Sequence, residues 1–242
     1  MRMTRVYLDQ VLESGSTCRL PEEAAHHVVT VLRMKTGEAL VLFNGRGGCY
    51  QAVINSVQKR SVEVTIGAHA PDDRESSLSI TLAQAVMRGQ HMDYALQKAV
   101  ELGVHHIVPL LCLHGNVKLD DEQKQHRHEH WGRIIISACE QCGRNRLPLL
   151  SAPLRLADWV GTDQSELKLI LHPRNGVRLA SLRSACSALT LLAGPEGGFS
   201  EDEIAGAERH GYKSITLGPR ILRAESAALV AISVCQAQWG DI

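Results

Sequence analysis

Short apolar runs with the spacing of β-strands dominate the first 70 residues of the chain. The runs lie at residues 39–43, 49–54 and 61–66. An Asn-Gly pair at 44–45 is a turn signal between the first two runs. One helix is predicted over residues 21–35, where apolar positions share a face, and Gly37 follows it. The pattern predicts a small β-barrel domain.

A polar stretch at residues 71–77, which starts with Pro71 and has no periodicity, separates this part from the rest. We place the domain boundary there, so that the domains span residues 1–72 and 73–242. Beyond the boundary, strand-length apolar runs alternate with helical patterns, which predicts an α/β domain with a parallel sheet and crossover helices. The runs lie at residues 80–86, 106–111, 167–171, 189–193 and 214–217, and the clearest helical patterns at 91–102, after Ser200 and at 223–239.

The composition is that of a soluble, globular protein. The 242 residues are 44% hydrophobic, and no apolar stretch approaches the roughly 18 residues of a membrane helix. The N-terminus lacks the apolar segment of a signal peptide, and the seven cysteines are scattered, so we expect free thiols in the cytoplasm and no membrane partner. The formal net charge is zero, so any nucleic acid would have to be bound through local basic patches.

A glycine-rich turn, Gly-Pro-Glu-Gly-Gly-Phe-Ser at 194–200, follows the apolar run at 189–193. Ser200 and Glu203 form a capping box at the start of the next helix. Glycines let a backbone approach a ligand closely, and a helix N-terminus offers unpaired N–H groups, so the turn indicates a ligand site. It is neither a Walker loop nor a Rossmann glycine pattern, and phosphate binding is therefore only weakly supported.

A second turn of this kind, Leu-Gly-Pro-Arg-Ile-Leu-Arg, lies at residues 217–223 before the last helix. Turns that follow parallel strands open on the same carboxyl edge of the sheet, where open α/β sheets bind ligands. The repetition strengthens the prediction of a ligand site. Taken alone, Arg223 and Glu225 would be explained as a solvated helix N-terminus.

Both turns resemble the cofactor motifs of RsmE-type RNA methyltransferases of the SPOUT class, and the resemblance extends along nearly the whole chain. Further matching stretches lie at residues 1–5, 25–33, 43–45, 97–103, 140–145 and 171–173. The resemblance implies an α/β protein with an N-terminal PUA-like small β-barrel and a C-terminal SPOUT domain that contains a deep trefoil knot. It also implies a homodimer.

The resemblance further implies S-adenosyl-L-methionine (SAM) as the methyl donor and N3 of a uridine in small-subunit ribosomal RNA as the acceptor, in the assembled small subunit. Three loops are expected to bind the cofactor. Their residues are Leu171, His172, Pro173, Gly194, Pro195, Glu196, Gly197, Leu217, Gly218, Pro219, Ile221, Leu222 and Arg223.

The candidate catalytic residues are Arg223, Glu225 and Arg144. We expect Arg223 to stabilise the uracil anion that forms when N3 loses its proton, and Glu225 to orient Arg223 or relay that proton. Arg144 and Asn145, from the partner subunit, are expected to hold the RNA. The sequence does not assign the proton acceptor.

The first 70 residues carry eight basic and six acidic side chains, a net charge of +2, against −2 for the rest of the chain. This bias indicates the barrel as the RNA-docking surface. The candidate RNA contacts are Arg2, Arg5, Arg33, Lys35, Arg46 and Asn145. Only 4% of residues are aromatic, so we expect recognition of RNA shape and a splayed-out nucleotide rather than broad base stacking.

The chain departs from the family pattern at residues 112–114, where Cys-Leu-His replaces the usual Ser-Glu-Arg, and at 223–226, where Arg-Ala-Glu-Ser replaces Arg-Thr-Glu-Thr. The first departure puts any role of that Glu and Arg in doubt. No metal is expected, because Cys139 and Cys142 lack a second pair at finger spacing and the histidine cluster at 126–130 is typical of a hydrated helix face.

Three other functions stay open. A SPOUT enzyme that methylates a ribose 2′-oxygen would carry Ser-Leu-Asn where this chain has Ile-Leu-Arg at 221–223. A non-catalytic RNA-binding or ribosome-assembly factor would not need the glycine turns, and a SAM-binding titration separates it from an enzyme. An enzyme with a phosphate ligand would bind nucleotides.

Overall fold

The computed structural model describes residues 3–58, 61–115, 119–183 and 186–242. The chain divides into two compact units. The first consists of Met1–Glu75 and Cys139–Leu147, and the second of Ser76–Ala138 and Pro148–Ile242. Within the described ranges, no helix is long and apolar enough to cross a membrane. The sequence pattern gave no sign that Cys139–Leu147 joins the first unit.

The first unit contains a five-stranded sheet. Its strands are β1 (Arg5–Tyr7), β2 (Thr17–Arg19), β3 (Ala39–Phe43), β4 (Cys49–Gln58) and β5 (Ser61–Ala70), in the order β1-β3-β4-β5-β2. β1 pairs with β3 in parallel, and the other pairs are antiparallel. Val62, Val64 and Ile66 alternate into the apolar core, as the period of a strand requires. The three predicted strands are confirmed, and β1 and β2 were missed.

The helix predicted over residues 21–35 is shorter than expected. It consists of α1 (Glu22–His26) and a π-helical turn (His27–Val31). Arg33 then adopts a φ of 54°, in the left-handed region that interrupts a right-handed helix. The helix therefore ends before Gly37, the residue that the sequence pattern indicated as its stop.

A buried ion pair holds Cys139–Leu147 within the first unit. Arg144 Nε donates to Glu75 Oε1 at 3.0 Å, a second contact joins Arg144 Nη2 to Glu75 Oε2, and the two side chains are 4% and 11% exposed. Next to it, Arg146 Nε donates to Asp73 Oδ2 at 2.6 Å in a more exposed pair. Because a guanidinium taken out of water is costly unless a carboxylate faces it, the Arg144–Glu75 pair constrains both segments.

The second unit contains a parallel sheet. Its strands are β6 (Ser79–Ala85), β7 (His106–Leu111), β8 (Leu149–Leu150), β9 (Leu154–Arg155), β10 (Leu167–Leu171), β11 (Val177–Arg178), β12 (Ala188–Ala193) and β13 (Lys213–Thr216). The order is β11-β13-β10-β12-β6-β7-β8, with β9 also paired to β7, and every pair is parallel. The central strands are buried along most of their length, which explains their continuous apolar runs. The predicted parallel α/β architecture is confirmed.

Helices connect these strands, except for the last helix, which follows β13. They are α2 (Gln90–Glu101), α3 (Asp121–Cys142), α4 (Leu156–Trp159), α5 (Glu201–Arg209) and α6 (Ala224–Trp239), with a 3-10 turn at Leu179–Ser181. Met92, Ala95, Leu96, Ala99 and Val100 form the buried face of α2, as its period predicts. The patterns at 91–102 and 223–239 are confirmed to within one residue at their starts. The 22-residue extent of α3 was not predicted.

The two glycine turns do not follow neighbouring strands. β10 lies between β12 and β13 and pairs with both in parallel. The turns after β12 and β13 therefore flank the loop that follows β10. The sheet brings three loops, rather than two, to one edge.

We predict that Glu75→Ala destabilises the first unit by about 3–5 kcal/mol, because Arg144 would remain buried without its carboxylate. Asp73→Ala, which breaks the neighbouring exposed pair, is the matched control and is expected to cost no more than about 1 kcal/mol. Urea denaturation of both variants measures the difference. Equal losses of unfolding free energy would contradict a special role for the buried pair.

Candidate functional site

A cavity of about 610 Å³ lies in the second unit at the carboxyl edge of β10, β12 and β13. All of the predicted cofactor-binding residues except Pro219 line it, and so do Arg223 and Glu225. The other lining residues are His91, Ala193, Gly198, Phe199, Ile204, Arg220, Ala224 and Ala227. The structure thus brings together, around one cavity, three loops that are far apart in the sequence.

The shape of the cavity depends on Gly194 and Gly197. A Cβ on Gly194 would lie 3.2 Å from two ring atoms of Phe199, which itself lines the cavity. A Cβ on Gly197 would lie 3.1 Å from the carbonyl oxygen of His114. Both approaches are closer than ordinary van der Waals contact, so larger residues would displace parts of the lining.

The glycine turn is anchored by the start of α5. Ser200 and Glu203 form the predicted capping box, in which Ser200 Oγ accepts from the Glu203 amide at 3.2 Å and Glu203 Oε2 accepts from the Ser200 amide at 2.8 Å. The other carboxylate oxygen, Oε1, accepts from the Leu113 amide at 2.7 Å. Glu203 therefore connects the turn to residues 112–114, the segment that departs from the family pattern described above.

Cys112 lies at the base of this departing segment. Burial raises the pKa of the Cys112 thiol far above its ordinary value, and the neighbouring Glu203 carboxylate raises it further. The thiol is thus held in its neutral form, which is a poor nucleophile. The Cys112 side chain packs against the apolar core beside the glycine turn.

His172 fixes the loop after β10. Its backbone N–H donates to the carbonyl of Ile215 at 2.9 Å, which extends the pairing of β10 with β13. Its ring Nδ1 accepts from the amides of Arg174 at 3.1 Å and Asn175 at 2.8 Å. The His172 side chain therefore links the start of this loop to the backbone of residues 174 and 175.

The start of α6 carries the two charged residues that were predicted to act in catalysis. Arg223 is the N-cap residue of α6, and its side chain is exposed. Glu225 is only 8% exposed, and its Oε1 lies 3.0 Å from Nδ1 of His91. Among the residues described, the ion-pair partner of Glu225 is His91 and not Arg223. The structure therefore does not show the expected contact in which Glu225 orients Arg223.

His91 was missed by sequence reasoning, which treated residues 91–102 only as a packing helix. A signal was nevertheless present. α2 follows β6, and β6 pairs in parallel with β12, so the start of α2 lies at the same sheet edge as the glycine turns. A titratable residue at that position lines the cavity.

The candidate RNA contacts lie in the first unit. Arg33, Lys35 and Arg46 are exposed. Arg5 stacks over the ring of Phe43 at 4.9 Å and donates from Nη2 to the carbonyl of Arg144 at 3.3 Å. Arg2 lies outside the described residues. The exposed cations are thus available to a ligand, whereas Arg5 is already engaged within the unit.

Arg144 and Asn145 are buried in the first unit, at 3% and 2% exposure. Arg144 pairs with Glu75, and the Asn145 side chain accepts from Arg5 and donates to the carbonyl of Asp72. These contacts within the unit are sufficient to explain why an arginine and an asparagine occupy the two positions. Their predicted roles in catalysis and RNA binding stay predictions.

Histidine and cysteine clusters do not form a metal centre in the part of the chain that the structure describes. His128 Nε2 lies 3.1 Å from the carbonyl of Leu150, and His130 Nε2 lies 3.0 Å from Asp93 Oδ2. The neighbouring histidines of this helix therefore take separate partners.

Two family models match parts of the chain. The family model described as an RNA methyltransferase domain matches residues 74–236, and the one described as an RNA methyltransferase PUA domain matches residues 20–67. A ribosomal RNA small subunit methyltransferase E from Buchnera aphidicola is 32% identical over 241 residues, which are 99% of this chain and 95% of that protein.

Two solved structures match the complete chain. A methyltransferase from Legionella pneumophila, in complex with bound SAM, is 42% identical with a TM-score of 0.97, and the match covers 100% of both chains. A ribosomal RNA small subunit methyltransferase E from Neisseria gonorrhoeae, bound to SAM, is 37% identical with a TM-score of 0.93 and the same coverage.

We predict that Glu203→Ala releases the glycine turn, because both carboxylate oxygens accept backbone N–H groups there. The amides of Leu113 and Ser200 are expected to exchange with solvent at least about tenfold faster, as the loss of about one hydrogen bond each implies. Glu201→Ala, at an exposed position of the same helix turn, is the control. Unchanged protection of both amides in the Glu203 variant would show that the carboxylate does not hold the turn.

Proposed function

Because this chain belongs to the ribosomal RNA small subunit methyltransferase E family, we propose that it transfers a methyl group from SAM to N3 of a uridine in small-subunit ribosomal RNA. The cavity at the carboxyl edge of the parallel sheet is the single feature that carries this proposal. It combines loops that can hold a cofactor with charged side chains that suit a reaction on a nucleobase. The substrate is the assembled small subunit.

The residues of the cavity fit SAM. Its volume of about 610 Å³ lies in the range of about 300–1,000 Å³ typical of pockets for ligands of this size. Gly194 and Gly197 let Phe199 and His114 pack closely against the turn, and the loops offer backbone groups for polar recognition. The three predicted loops, with residues 171–173, 194–197 and 217–223, would hold the cofactor. SAM supplies a methyl group on a sulfonium, which an electron-rich nitrogen can take up.

Arg223 is proposed to stabilise the negative charge that develops on the uracil when N3 loses its proton. Its side chain is exposed at the N-terminus of α6 and lines the cavity. A guanidinium and a helix N-terminus both favour negative charge nearby. Glu225 is buried at the same helix start and contacts His91, so it is not proposed to orient Arg223.

RNA docking is proposed for the first unit. Arg33, Lys35 and Arg46 are exposed there and would contact phosphates, which are bound without sequence preference. Arg2, Arg5 and Asn145 complete the proposed set. Arg144 and Asn145 would act on RNA from the partner subunit.

We also propose the finer organisation that the family resemblance implies. The parallel domain, with its boundary after residue 72, would contain the deep trefoil knot of the SPOUT class. Two chains would form a homodimer. A cytoplasmic location follows from the ribosomal substrate.

Methyl transfer from labelled SAM to small ribosomal subunits that lack their native uridine methylation tests the proposal directly. Nucleoside analysis is expected to recover the label as N3-methyluridine at one site. Label in a ribose-methylated nucleoside would contradict the assigned position. A protein that neither binds SAM nor transfers the label would be a non-catalytic assembly factor.

We predict that Arg223→Ala lowers the turnover number by about 10²–10³-fold, the effect of removing one preorganised group that faces developing negative charge. The dissociation constant of SAM is expected to change little, because the loop backbones provide most cofactor contacts. Single-turnover methylation and calorimetric SAM titration measure the two effects. Arg209→Ala, on the exposed end of α5, is the charge-matched control. Unchanged turnover of the Arg223 variant would refute the role of Arg223.

A further inference from the structure

His91 and Glu225 form a pair at the wall of the cavity. The distance from His91 Nδ1 to Glu225 Oε1 is 3.0 Å, and the two side chains are 49% and 10% exposed. The carboxylate is therefore largely removed from water, whereas the ring of His91 is open to the cavity. Since His91 lies at the start of α2 and Glu225 at the start of α6, two helix N-termini meet at this pair.

The partner of Nδ1 determines the tautomer of His91. An ionised carboxylate can only accept a hydrogen bond, so Nδ1 of His91 must carry the proton. In the neutral ring, Nε2 then has a free lone pair. His91 thus presents a basic nitrogen from its exposed side, and Glu225 holds the ring in that state.

His172, the other histidine of the cavity, is held in the opposite tautomer. Its Nδ1 accepts from two backbone amides, those of Arg174 and Asn175, so this nitrogen carries the lone pair. In the neutral ring the proton is on Nε2, which can donate but not accept. The lone pair of His172 is therefore engaged by backbone amides, whereas that of His91 is on Nε2, the ring nitrogen opposite the contact with Glu225.

Other charged groups surround His91. Glu196, Arg220, Arg223 and Glu225 share the cavity with it, and Asp93, two positions along α2, pairs with His130 at 3.0 Å. The positive ends of α2 and α6 oppose a second positive charge at this place, and the Glu225 carboxylate offsets them. Charged groups of both signs therefore lie around His91.

We propose that His91 is the proton acceptor for the uridine and that Glu225 is the residue that positions it. This inference rests on the proposed function. The N3–H bond breaks and its proton moves to His91 Nε2, while the electron pair stays on N3. That pair forms the new N–CH₃ bond as the methyl–sulfur bond breaks, and the sulfur keeps the electrons of the broken bond. His91 then releases the proton to water.

The decisive experiment is the pH dependence of single-turnover methylation of small subunits by the wild type and His91→Asn. A general base contributes about 10²–10⁴-fold, so the variant is expected to be at least about a hundredfold slower near neutral pH. Its rate should rise steadily with hydroxide concentration, because the solvent must then remove the proton. The wild-type rate should instead level off once His91 is neutral. SAM affinity should stay within about threefold, since the cofactor loops are intact.

His130→Asn is the matched control, because His130 forms an imidazole–carboxylate pair of the same length outside the cavity. It is expected to keep the rate and the pH profile of the wild type. Glu225→Gln should also slow the reaction, since an amide N–H facing Nδ1 would favour the wrong tautomer. A His91 variant that keeps the wild-type profile would overturn the proposal. So would a variant that lowers only the affinity for SAM or RNA.

A second measurement does not depend on the variants. Nitrogen-15 NMR of the histidine rings in the wild-type protein is expected to show His91 protonated on Nδ1 and His172 protonated on Nε2 at a pH where both are neutral. The reverse assignment for His91 would overturn the proposal. If the wild type transfers no methyl group to N3, the proposed function fails; if it does and the His91 profile is unchanged, only this inference fails.

Discussion

The parallel pairing of β10 with both of its neighbours is the constraint on which the site depends. Leu171 lies opposite Ile215 of β13, and Ile170 lies opposite Leu192 of β12, so the three strands end at nearly the same level. Because a parallel sheet is covered on both faces, a shift of one residue would move every side chain of a strand to the opposite face and disrupt the packing there. The apolar core thus fixes the register, and the register fixes where the three loops begin.

At this edge, the glycine turns contribute to the site through the path of their backbone more than through side-chain chemistry. Gly194 gives space to Phe199, and Gly197 gives space to the backbone at His114, so the cavity is defined largely by where side chains are missing. The capping box of α5 then holds the turn from its far end. The side chains proposed for chemistry, His91, Arg223 and Glu225, lie at the starts of α2 and α6.

Much of this could be predicted from the sequence, for a physical reason. Runs such as 106–111 and 167–171, apolar except for His106 and Lys168, indicated the central strands because a strand buried on both faces is mostly apolar. The loop residues followed from glycine patterns. Arg144 could not be assigned in the same way, because an arginine in a polar loop serves equally well for a buried ion pair or for RNA. Only the folded structure shows that Glu75, distant in the sequence, lies against Arg144. The early end of the first helix at Arg33 likewise depends on tertiary context.

The same limit applies to the two histidines of the cavity. His91 and His172 are the same residue type, and both lie at the carboxyl edge of the sheet. Their chemistry differs because one faces a carboxylate, which forces its Nδ1 to donate, and the other faces two backbone amides, which force its Nδ1 to accept. The hydrogen-bond partner therefore decides which ring can act as a base. For His91, that partner is set by the packing of α2 against α6, which no local sequence pattern encodes.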